Sequence, residues 1–599
     1  MNLNGKKLSQ GQNGKTQHII FAVLMLFALI FALWKCRYGF DGGDEPFYFD
    51  VTQRIMQGDA LLKHEWHLSQ LSSVLRIPIL LLYRLTHSSM EGFLLCMRIW
   101  YHICHCAVCV FVYIRLRKYG YASLVSSMLY FLFGSYTLFT FSYNAIAMDS
   151  LVFTGVLMAT ADSKSTVPFI LCGISFSAAV LCSPYLAVVY VIYALCTFAR
   201  FLLAKTKLRA VKETALFTDL FSGKTFLLFS AGIAACAIAF AIFVFSRASL
   251  DDIMKNLPEI LFSDPEHIQE PFLKKFINYF MSVLFCCGYI YFCFFAYFLI
   301  AAAMLFDKKR MAHRSVYLFL SSAVAIATMM LIAKGIVDTY HTAVMMPVLF
   351  VGFTSYVLSE KKPKKLFCSM FVLGILYSIA VHIASNQTFL VIFMAMGVSN
   401  IAAIIFTFVV IKEIISEKQQ SESENKENKN ILKRVCIYSM LFAVSLQGIF
   451  ELVVKYEYCY YDGCIQYVSS PLEKGPGKGI ITSARSKVLY TSYYDEIDYY
   501  KDKAPDSILL LNYKAWGYLY LDDFTCSSYS AWTSGLGKPT AERLKKYYEL
   551  NPEKLPKYVY LPIGIAEAMG INNVEQLAKD NNYIIADKSS VSYKLERAE

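Results

Sequence analysis

The stretch HIIFAVLMLFALIFALWKCRYGFDGGDEPFY, residues 18–48, joins a long apolar run to two adjacent acids, Asp44 and Glu45. The apolar run is close to the roughly 18 to 20 residues that a helix needs to cross the hydrocarbon of a bilayer. Runs of this kind recur as far as Leu452, and 56% of the 599 residues are hydrophobic, which is more than a soluble core requires. The sequence therefore predicts a polytopic α-helical membrane protein with about 13 transmembrane helices.

The positions of lysine and arginine predict which connections face the cytoplasm, because short cationic loops are retained there. Such residues precede the first apolar run and return in every second connection: Lys6, Lys7 and Lys15; Arg115, Arg117 and Lys118; Lys164; Lys205, Lys207 and Arg209; Lys308, Lys309 and Arg310; Lys361, Lys362, Lys364 and Lys365; Lys433 and Arg434. An odd number of spans then places the N-terminus in the cytoplasm and the C-terminal part outside, in a multi-pass protein of the plasma (inner) membrane. The net charge of +12 follows from this distribution. No basic domain accompanies it, so the lipid bilayer is the expected partner and nucleic acid is excluded.

The composition changes near Lys455 and divides the chain into a transmembrane part, residues 1–454, and a C-terminal domain, residues 455–599. A Tyr-rich helical stretch and short strand-like runs predict a small α/β or α+β domain outside the membrane. The strand-like runs are at residues 508–511, 558–561 and 583–586. The domain holds Cys459, Cys464 and Cys526, and its compartment permits disulfides. Pairing of Cys459 with Cys464 would close a small loop.

The first outer loop, residues 36–90, carries Asp44 and Glu45 and is expected to hold the active site. A carboxylate at the border of a membrane is partly desolvated, which raises its basicity and lets it take a proton from a hydroxyl group. After the acids, Phe47, Val51 and Ile55 recur at every fourth position, and this pattern predicts an amphipathic helix lying in the interface. The alternative interpretation of the two acids is a helix N-cap followed by a first-turn acid. Both interpretations can hold together.

Asp149 is a second acid at a predicted span border, in the short outer turn 142–149. An ionisable residue at that depth is a functional candidate. The competing interpretation is an N-cap or first-turn acid that opens the following helix.

Two clusters have the residue types of a metal site. His102, Cys104, His105 and Cys106 lie within an apolar span, where buried packing is the favoured interpretation. Asp264, Glu266 and His267 lie in an outer loop, where they could hold a divalent metal but more often form a solvated turn. The sequence thus indicates no certain cofactor, and a divalent metal is the only one considered.

The arrangement of these features resembles the C-type (GT-C) glycosyltransferases, which use lipid-linked sugars. A first span, an outer loop opening with Asp44-Glu45-Pro46-Phe47-Tyr48, many further spans and an outer C-terminal domain carry the resemblance. Within that superfamily the chain is most similar to the protein O-mannosyltransferase and aminoarabinose (lipid A) transferase branch. The resemblance implies a GT-C fold and transfer, with inversion, of a hexose or pentose from a polyprenyl-phosphate donor to a hydroxyl acceptor. That acceptor could be a protein, a wall polymer or a glycolipid.

The resemblance also implies roles for individual residues. Asp44 would be the general base, with Glu45 beside it, and Asp149 would correspond to the acid of the family's second outer loop, in a supporting or acceptor-side role. A leaving phosphate needs fixed cations. The aminoarabinose branch has a lysine where this chain offers Gln70 nearby and Arg76 further on, so several candidates for binding the donor phosphate stay open: Arg54, Lys63, His64, Arg76, Lys274, Lys275 and His341.

Two other functions compete with the enzyme. A transporter or flippase of a lipid-linked glycan would usually show intramembrane charges and broken, duplicated spans. A membrane-anchored assembly or binding protein would not need so large a membrane part with acids at its border. This chain keeps its charges mostly at the borders of its spans, which favours the glycosyltransferase.

Overall fold

The computed structural model describes residues 4–133, 139–204, 218–262, 271–285, 290–333, 343–384, 389–419, 427–531 and 537–598. These residues form a large helical part followed by a smaller domain that contains a sheet. The helices of the first part are α1 (Asn4–Lys35), α2 (Asp44–Met56), α3 (Ile77–Thr86), α4 (Phe93–Leu116), α5 (Tyr121–Leu132), α6 (Tyr143–Thr160), α7 (Val167–Cys182), α8 (Ala187–Leu203), α9 (Gly223–Phe245), α10 (Leu250–Phe262), α11 (Phe272–Phe285), α12 (Ile290–Phe306), α13 (Arg314–Ala333), α14 (Met345–Leu358), α15 (Leu373–Ala384), α16 (Phe389–Ala395), α17 (Gly397–Gln419) and α18 (Glu427–Glu457).

Many of these helices have the length and apolar surface of membrane spans. Within the described residues, nine helices are long and apolar enough to cross a bilayer, and five shorter apolar helices accompany them. Large apolar side chains stand exposed on their outer faces, as on α8, where Leu195 and Phe201 are exposed. Such surfaces are stable only against lipid. The predicted class, a polytopic helical membrane protein, is therefore confirmed, while the number of 13 spans stays a prediction.

Polar contacts sort the connections between helices into two ends of the bundle. At one end Lys365 pairs with Asp219 and Lys433 with Glu417. At the other end Arg247, after α9, donates to the carbonyl of Ile55 in the first outer loop. The cation-rich connections thus meet at one end and the loop of Asp44 lies at the opposite end, as the charge pattern predicts. Which end faces the cytoplasm stays a prediction.

The C-terminal domain is built around a five-stranded mixed sheet in the order β6-β5-β7-β9-β8. Its strands β5, β6 and β7 are parallel, and β9 pairs antiparallel with both β7 and β8. The elements are β1 (Tyr458–Cys459), β2 (Gly463–Cys464), β3 (Val468–Pro471), β4 (Ile481–Ser483), α19 (Ala484–Asp498), β5 (Ser507–Leu510), α20 (Trp516–Tyr520), β6 (Thr525–Cys526), α21 (Lys538–Leu550), β7 (Tyr558–Pro562), α22 (Ile563–Ala568), α23 (Val574–Asp580), β8 (Tyr583–Lys588) and β9 (Ser592–Arg597). The three predicted strands correspond to β5, β7 and β8.

The carboxyl ends of the parallel strands meet the first outer loop. The segment after β6 accepts a hydrogen bond from the backbone N–H of Trp66 at the carbonyl of Tyr529. The segment after β5 brings Lys514 and Trp516 against Gly42. Ligand sites in sheets with parallel strands form at these carboxyl ends. The C-terminal domain therefore forms one wall of the region around Asp44.

The helix predicted after Asp44 is present as α2, but its predicted position in the interface is wrong. Asp50, Gln53 and Arg54 on its polar side are as buried as Phe47 and Val51. The reason is that the C-terminal domain covers the polar side, where the Gln53 amide donates to the carbonyl of Tyr518. The helix ends at Met56, and Gly58 follows with φ +112°, a conformation that favours glycine.

The proposed disulfide between Cys459 and Cys464 is also wrong, because both residues are free cysteines, as is Cys526. In the β1–β2 hairpin Cys459 lies opposite Gly463, and Cys464 lies opposite Tyr458. Adjacent positions on a strand point to opposite faces, so the two thiols diverge.

Candidate active site

Asp44 is the first residue of α2, and its carboxylate is not used to cap that helix. The capping interactions come from Asp41, which accepts hydrogen bonds from the backbone N–H groups of Gly43 at 2.8 Å and Glu45 at 3.0 Å. The N-cap interpretation of Asp44 is therefore wrong, although both acids do stand in the first turn of the helix. Asp44 keeps its carboxylate for other contacts.

The Asp44 carboxylate is half-buried and meets two groups of the C-terminal domain. Tyr460 donates a hydrogen bond of 2.6 Å from its hydroxyl to Oδ2, and Lys514 interacts with the same carboxylate through its charge. Burial raises the pKa of Asp44 above its usual range, and the contacts with Tyr460 and Lys514 oppose that rise. Burial and the nearby Asp44 charge raise the pKa of Asp41 to about 7. A carboxylate of raised basicity at a polar border has the character of a general base.

Glu45, by contrast, is fully buried in an ion pair. Both of its oxygens accept from Arg98 on α4, at 2.7 Å from Nε and 2.6 Å from Nη2. Arg98 also donates to the carbonyls of Cys36 and Gly39. Glu45 thus anchors the start of the outer loop to α4, and this geometry leaves neither oxygen for a substrate.

Arg76 is a buried cation with neutral partners. It is 1% exposed and donates to the carbonyls of Tyr48 and Phe141 and to the hydroxyl of Ser72. Its guanidinium also lies 5.5 Å from the centre of the Tyr48 ring. Within the described residues no carboxylate forms an ion pair with it, and burial lowers its pKa to about 10. A buried cation without a counter-ion favours binding of an anion.

Tyrosine side chains lie between Asp44 and Arg76. The ring of Tyr48 interacts with both charges and lies 5.6 Å from the ring of Tyr143. Tyr143 in turn is within electrostatic reach of Asp44 and Tyr185. Rings and hydroxyl groups of this kind suit the faces and hydroxyls of a sugar.

Two hydroxyl groups lie near Arg76. Ser183 Oγ and Tyr377 Oη are both buried and lie next to each other. Both stand close to Cys182, which interacts electrostatically with Arg76. One helical turn before Tyr377, Leu373 lines an apolar cavity of about 260 Å³ between α6, α7, α8 and α15. The buried guanidinium of Arg76 thus stands near an apolar cavity of the bundle.

Arg54, a second candidate for the donor phosphate, is already neutralised. Its Nε donates to Asp59 at 2.8 Å and its Nη1 to Glu65 at 2.7 Å. Its Nη2 donates to the carbonyls of His64 and Ser528. These contacts fasten the outer loop to the C-terminal domain and give the phosphate-binding role no support.

Lys63 and His64, two further predicted cations, are engaged by acidic groups. Lys63 pairs with Asp252 and Glu553 near the surface, and His64 bonds to Glu553. Lys274 and Lys275 stand in the first turn of α11, where Lys274 is exposed. His341 lies outside the described residues, as do Asp264, Glu266 and His267. Among the residues that are described, no group of three or more His, Cys, Asp or Glu could hold a metal ion.

Asp149 belongs to a different cluster, inside the helical bundle. Helix α6 starts at Tyr143 with Ser142 as its N-cap, so the N-cap or first-turn interpretation of Asp149 is wrong. Its carboxylate accepts from the Tyr130 hydroxyl at 2.5 Å and bonds to His105 Nδ1 at 2.9 Å. No described contact joins it to Asp44. His102, from the predicted cysteine and histidine cluster, is buried nearby, 1% exposed.

Sequence reasoning missed four residues that shape the Asp44 site: Asp41, Arg98, Tyr460 and Lys514. Only Asp41 had a local signal, since it precedes a Gly-Gly pair just before the helix. The other three are brought to the site by tertiary folding from up to about 470 residues away along the chain.

No protein-family model matches the chain, and no curated protein matches it. Among solved structures, the chain is similar to the archaeal oligosaccharyltransferase AglB from Archaeoglobus fulgidus in complex with an inhibitory peptide and a dolichol-phosphate. The identity is 12% and the TM-score 0.46, over 97% of this chain and 74% of that one. The apo form of the Archaeoglobus fulgidus oligosaccharyltransferase is similar at 11% identity and a TM-score of 0.44, over 93% and 71% of the two chains. At these identities the similarity is one of chain path alone.

Proposed function

We propose that this protein is a membrane glycosyltransferase of the GT-C type that moves a sugar from a polyprenyl-phosphate donor to a hydroxyl acceptor. The observation that carries the proposal is a half-buried carboxylate, Asp44, separated by tyrosine side chains from Arg76, a buried cation that has no counter-ion in the described parts of the chain. The reaction needs a base for the acceptor hydroxyl, for which Asp44 is the candidate, and a cation for the leaving phosphate, for which Arg76 is the candidate.

The donor phosphate would bind at Arg76. Its negative charge would supply a counter-ion, and the buried hydroxyls of Ser183 and Tyr377 would donate to its oxygens. The hydrocarbon chain of the donor would then descend past Tyr377 into the apolar cavity lined by Leu373 and Leu376. A lipid phosphate fits this combination of a buried cation and a nearby apolar cavity better than a soluble nucleotide sugar does.

The acceptor hydroxyl would approach Asp44 from the outer side of the bundle. As its oxygen attacks the anomeric carbon, its proton passes to the carboxylate of Asp44. The bond between the anomeric carbon and the phosphate oxygen breaks, and polyprenyl phosphate leaves with the electron pair, held by Arg76. A single displacement of this kind inverts the anomeric centre.

The first test is replacement of the base. Asp44→Asn should fold and insert normally but lose at least roughly 100-fold in transfer, because an amide cannot take the proton. Purified protein in vesicles would be given radiolabelled polyprenyl-phosphate sugars and membrane extract, and label would be followed into acceptor products. Asp251→Asn, on the exposed start of α10, is the matched control and should transfer at the wild-type rate.

The same assay separates the enzyme from a transporter. An enzyme releases polyprenyl phosphate in step with acceptor labelling. Movement of intact donor across the vesicle bilayer, without any labelled acceptor, would instead identify a flippase and overturn the proposal. Full transfer by Asp44→Asn would remove Asp44 as the base.

A further inference from the structure

The hairpin β1–β2, residues 458–464, is the first part of the C-terminal domain, and it is fastened to the segment that precedes Asp44. Asp462 accepts from the backbone N–H of Phe40 at 2.9 Å, and from the hydroxyl of Thr482. The Cys459 thiol lies 2.9 Å from the ammonium of Lys35. The loop that carries Asp44 is therefore held by this hairpin in a fixed position.

Close packing leaves the hairpin little freedom to move relative to the loop. Gly39 has φ +89°, and a Cβ at this position would stand 3.0 Å from Cys459 Cβ and 3.3 Å from the backbone nitrogen of Tyr460. The backbone N–H of Gly39 also donates to the carbonyl of Ile481, at the start of β4. With the backbone placed in this way, the Tyr460 hydroxyl reaches Asp44 Oδ2 at 2.6 Å.

The other groups that act on Asp44 come from four parts of the chain. They are Asp41 before α2, Tyr48 on α2, Tyr143 on α6, Tyr461 beside Tyr460, and Lys514 after β5. None of these groups donates a hydrogen bond to the carboxylate in the described parts of the chain, whereas Tyr460 does. Its ring is partly buried, whereas Tyr461 is 64% exposed.

We propose that Tyr460 is a positioning residue for the reaction proposed above: its hydroxyl occupies Oδ2 of Asp44 and leaves Oδ1 to receive the proton of the acceptor. The inference rests on the proposed function and deepens it, because it makes the C-terminal domain part of the acid–base machinery. A hydrogen bond to a carboxylate also favours its ionised form. Tyr460 therefore fixes the orientation of the base and keeps it ionised at lower pH.

The test uses the full-length protein and the transfer assay across pH. Tyr460→Phe should lower kcat roughly 10-fold to 100-fold, the range expected for loss of a hydrogen bond to a charged group, while KM for the donor stays within about 2-fold because Arg76 is untouched. Without that bond the pKa of Asp44 rises further. The acid limb of the kcat profile should therefore move to higher pH. Tyr467→Phe, at an exposed tyrosine of the same domain, is the matched control and should behave as the wild type.

A second variant keeps the test decisive if Tyr460→Phe folds poorly. Replacement of Tyr460 by 3-fluorotyrosine preserves the ring and makes the hydroxyl a stronger donor, so the acid limb should move in the opposite direction, to lower pH. A purely structural role for Tyr460 would not move the limb in opposite directions for the two variants.

The outcomes distinguish the two proposals. If the wild type transfers sugar and Asp44→Asn does not, but both Tyr460 variants keep the wild-type kcat and pH profile, the positioning role is overturned and the glycosyltransferase stands. If the wild type itself transfers no sugar from any polyprenyl-phosphate donor, both proposals are overturned.

Discussion

Two arginines of the same outer loop are both almost fully buried, yet they have opposite surroundings. Arg54 is held by the carboxylates of Asp59 and Glu65, and Asp59 pairs in addition with Lys554 of the C-terminal domain. Arg76 is held by carbonyls, a hydroxyl and an aromatic ring, with no carboxylate among its described partners. The charge of Arg54 is therefore neutralised by the protein, whereas the charge of Arg76 is not neutralised by any of its described partners.

This difference gives a way to tell a cation that stabilises the fold from a cation that binds a ligand. Burying a charge is costly, and a protein offsets that cost where the charge serves the fold by supplying the opposite charge. Where the opposite charge belongs to a ligand, the cation stays unmatched in the absence of that ligand. Substitutions at Arg54, at Arg76 and, as a surface comparison, at Lys63 test this contrast.

The largest effect is expected at Arg54. Arg54→Met leaves Glu65 buried without its cation and should destabilise the protein by about 3 to 5 kcal/mol, the usual cost of breaking a buried ion pair. Thermal unfolding of the purified protein in nanodiscs would measure this loss, and protease digestion should reveal release of the C-terminal domain. A variant that kept the wild-type midpoint would contradict the structural role.

Arg76→Gln should affect function more than stability. The amide can still donate to one of the carbonyls, but the phosphate loses its counter-ion, so kcat/KM for the donor should fall at least roughly 100-fold, or about 2.7 kcal/mol. Polyprenyl phosphate should raise the unfolding midpoint of the wild type by mass action and leave that of the variant unchanged. Equal protection of both proteins by the lipid phosphate would place the anion site elsewhere.

The smallest effect is expected at Lys63, whose partners Asp252 and Glu553 have side chains 37% and 48% exposed. Ion pairs in such surroundings contribute at most about 1 kcal/mol. Lys63→Ala should therefore keep transfer within about 2-fold of the wild type and shift the midpoint by only a few degrees. A large loss of donor binding would return Lys63 to the list of phosphate ligands.

The sequence was sufficient for the class of protein, for α2 and for the position of Asp44 at its start, because apolar length, helical periodicity and adjacent acids are local signals. It could not separate Arg54 from Arg76. Whether a buried cation is matched depends on tertiary neighbours such as Lys554, which lies almost 500 residues from Asp59 along the chain. For the same reason the sequence predicts an interfacial helix for α2, because the C-terminal domain that covers Asp50 and Gln53 is distant along the chain.

Glu45 illustrates a second limit. As a neighbour of Asp44 with the same chemistry it could not be distinguished from the proposed base by residue type or position. The distinction comes from Arg98, which takes both Glu45 oxygens, and from the turn of α2 that points the two side chains in different directions. Adjacent residues of one helix do not face the same neighbours.

Because the C-terminal domain supplies Tyr460, Lys514 and the cover over α2, the order of synthesis matters for this protein. The loop with Asp44 leaves the ribosome first, and it emerges long before its partners exist. Its polar residues must then remain hydrated while the rest of the bundle inserts. A nascent chain that stops before the hairpin therefore has an exposed Asp44 carboxylate and lacks the Tyr460 hydroxyl on which the proposed transfer depends.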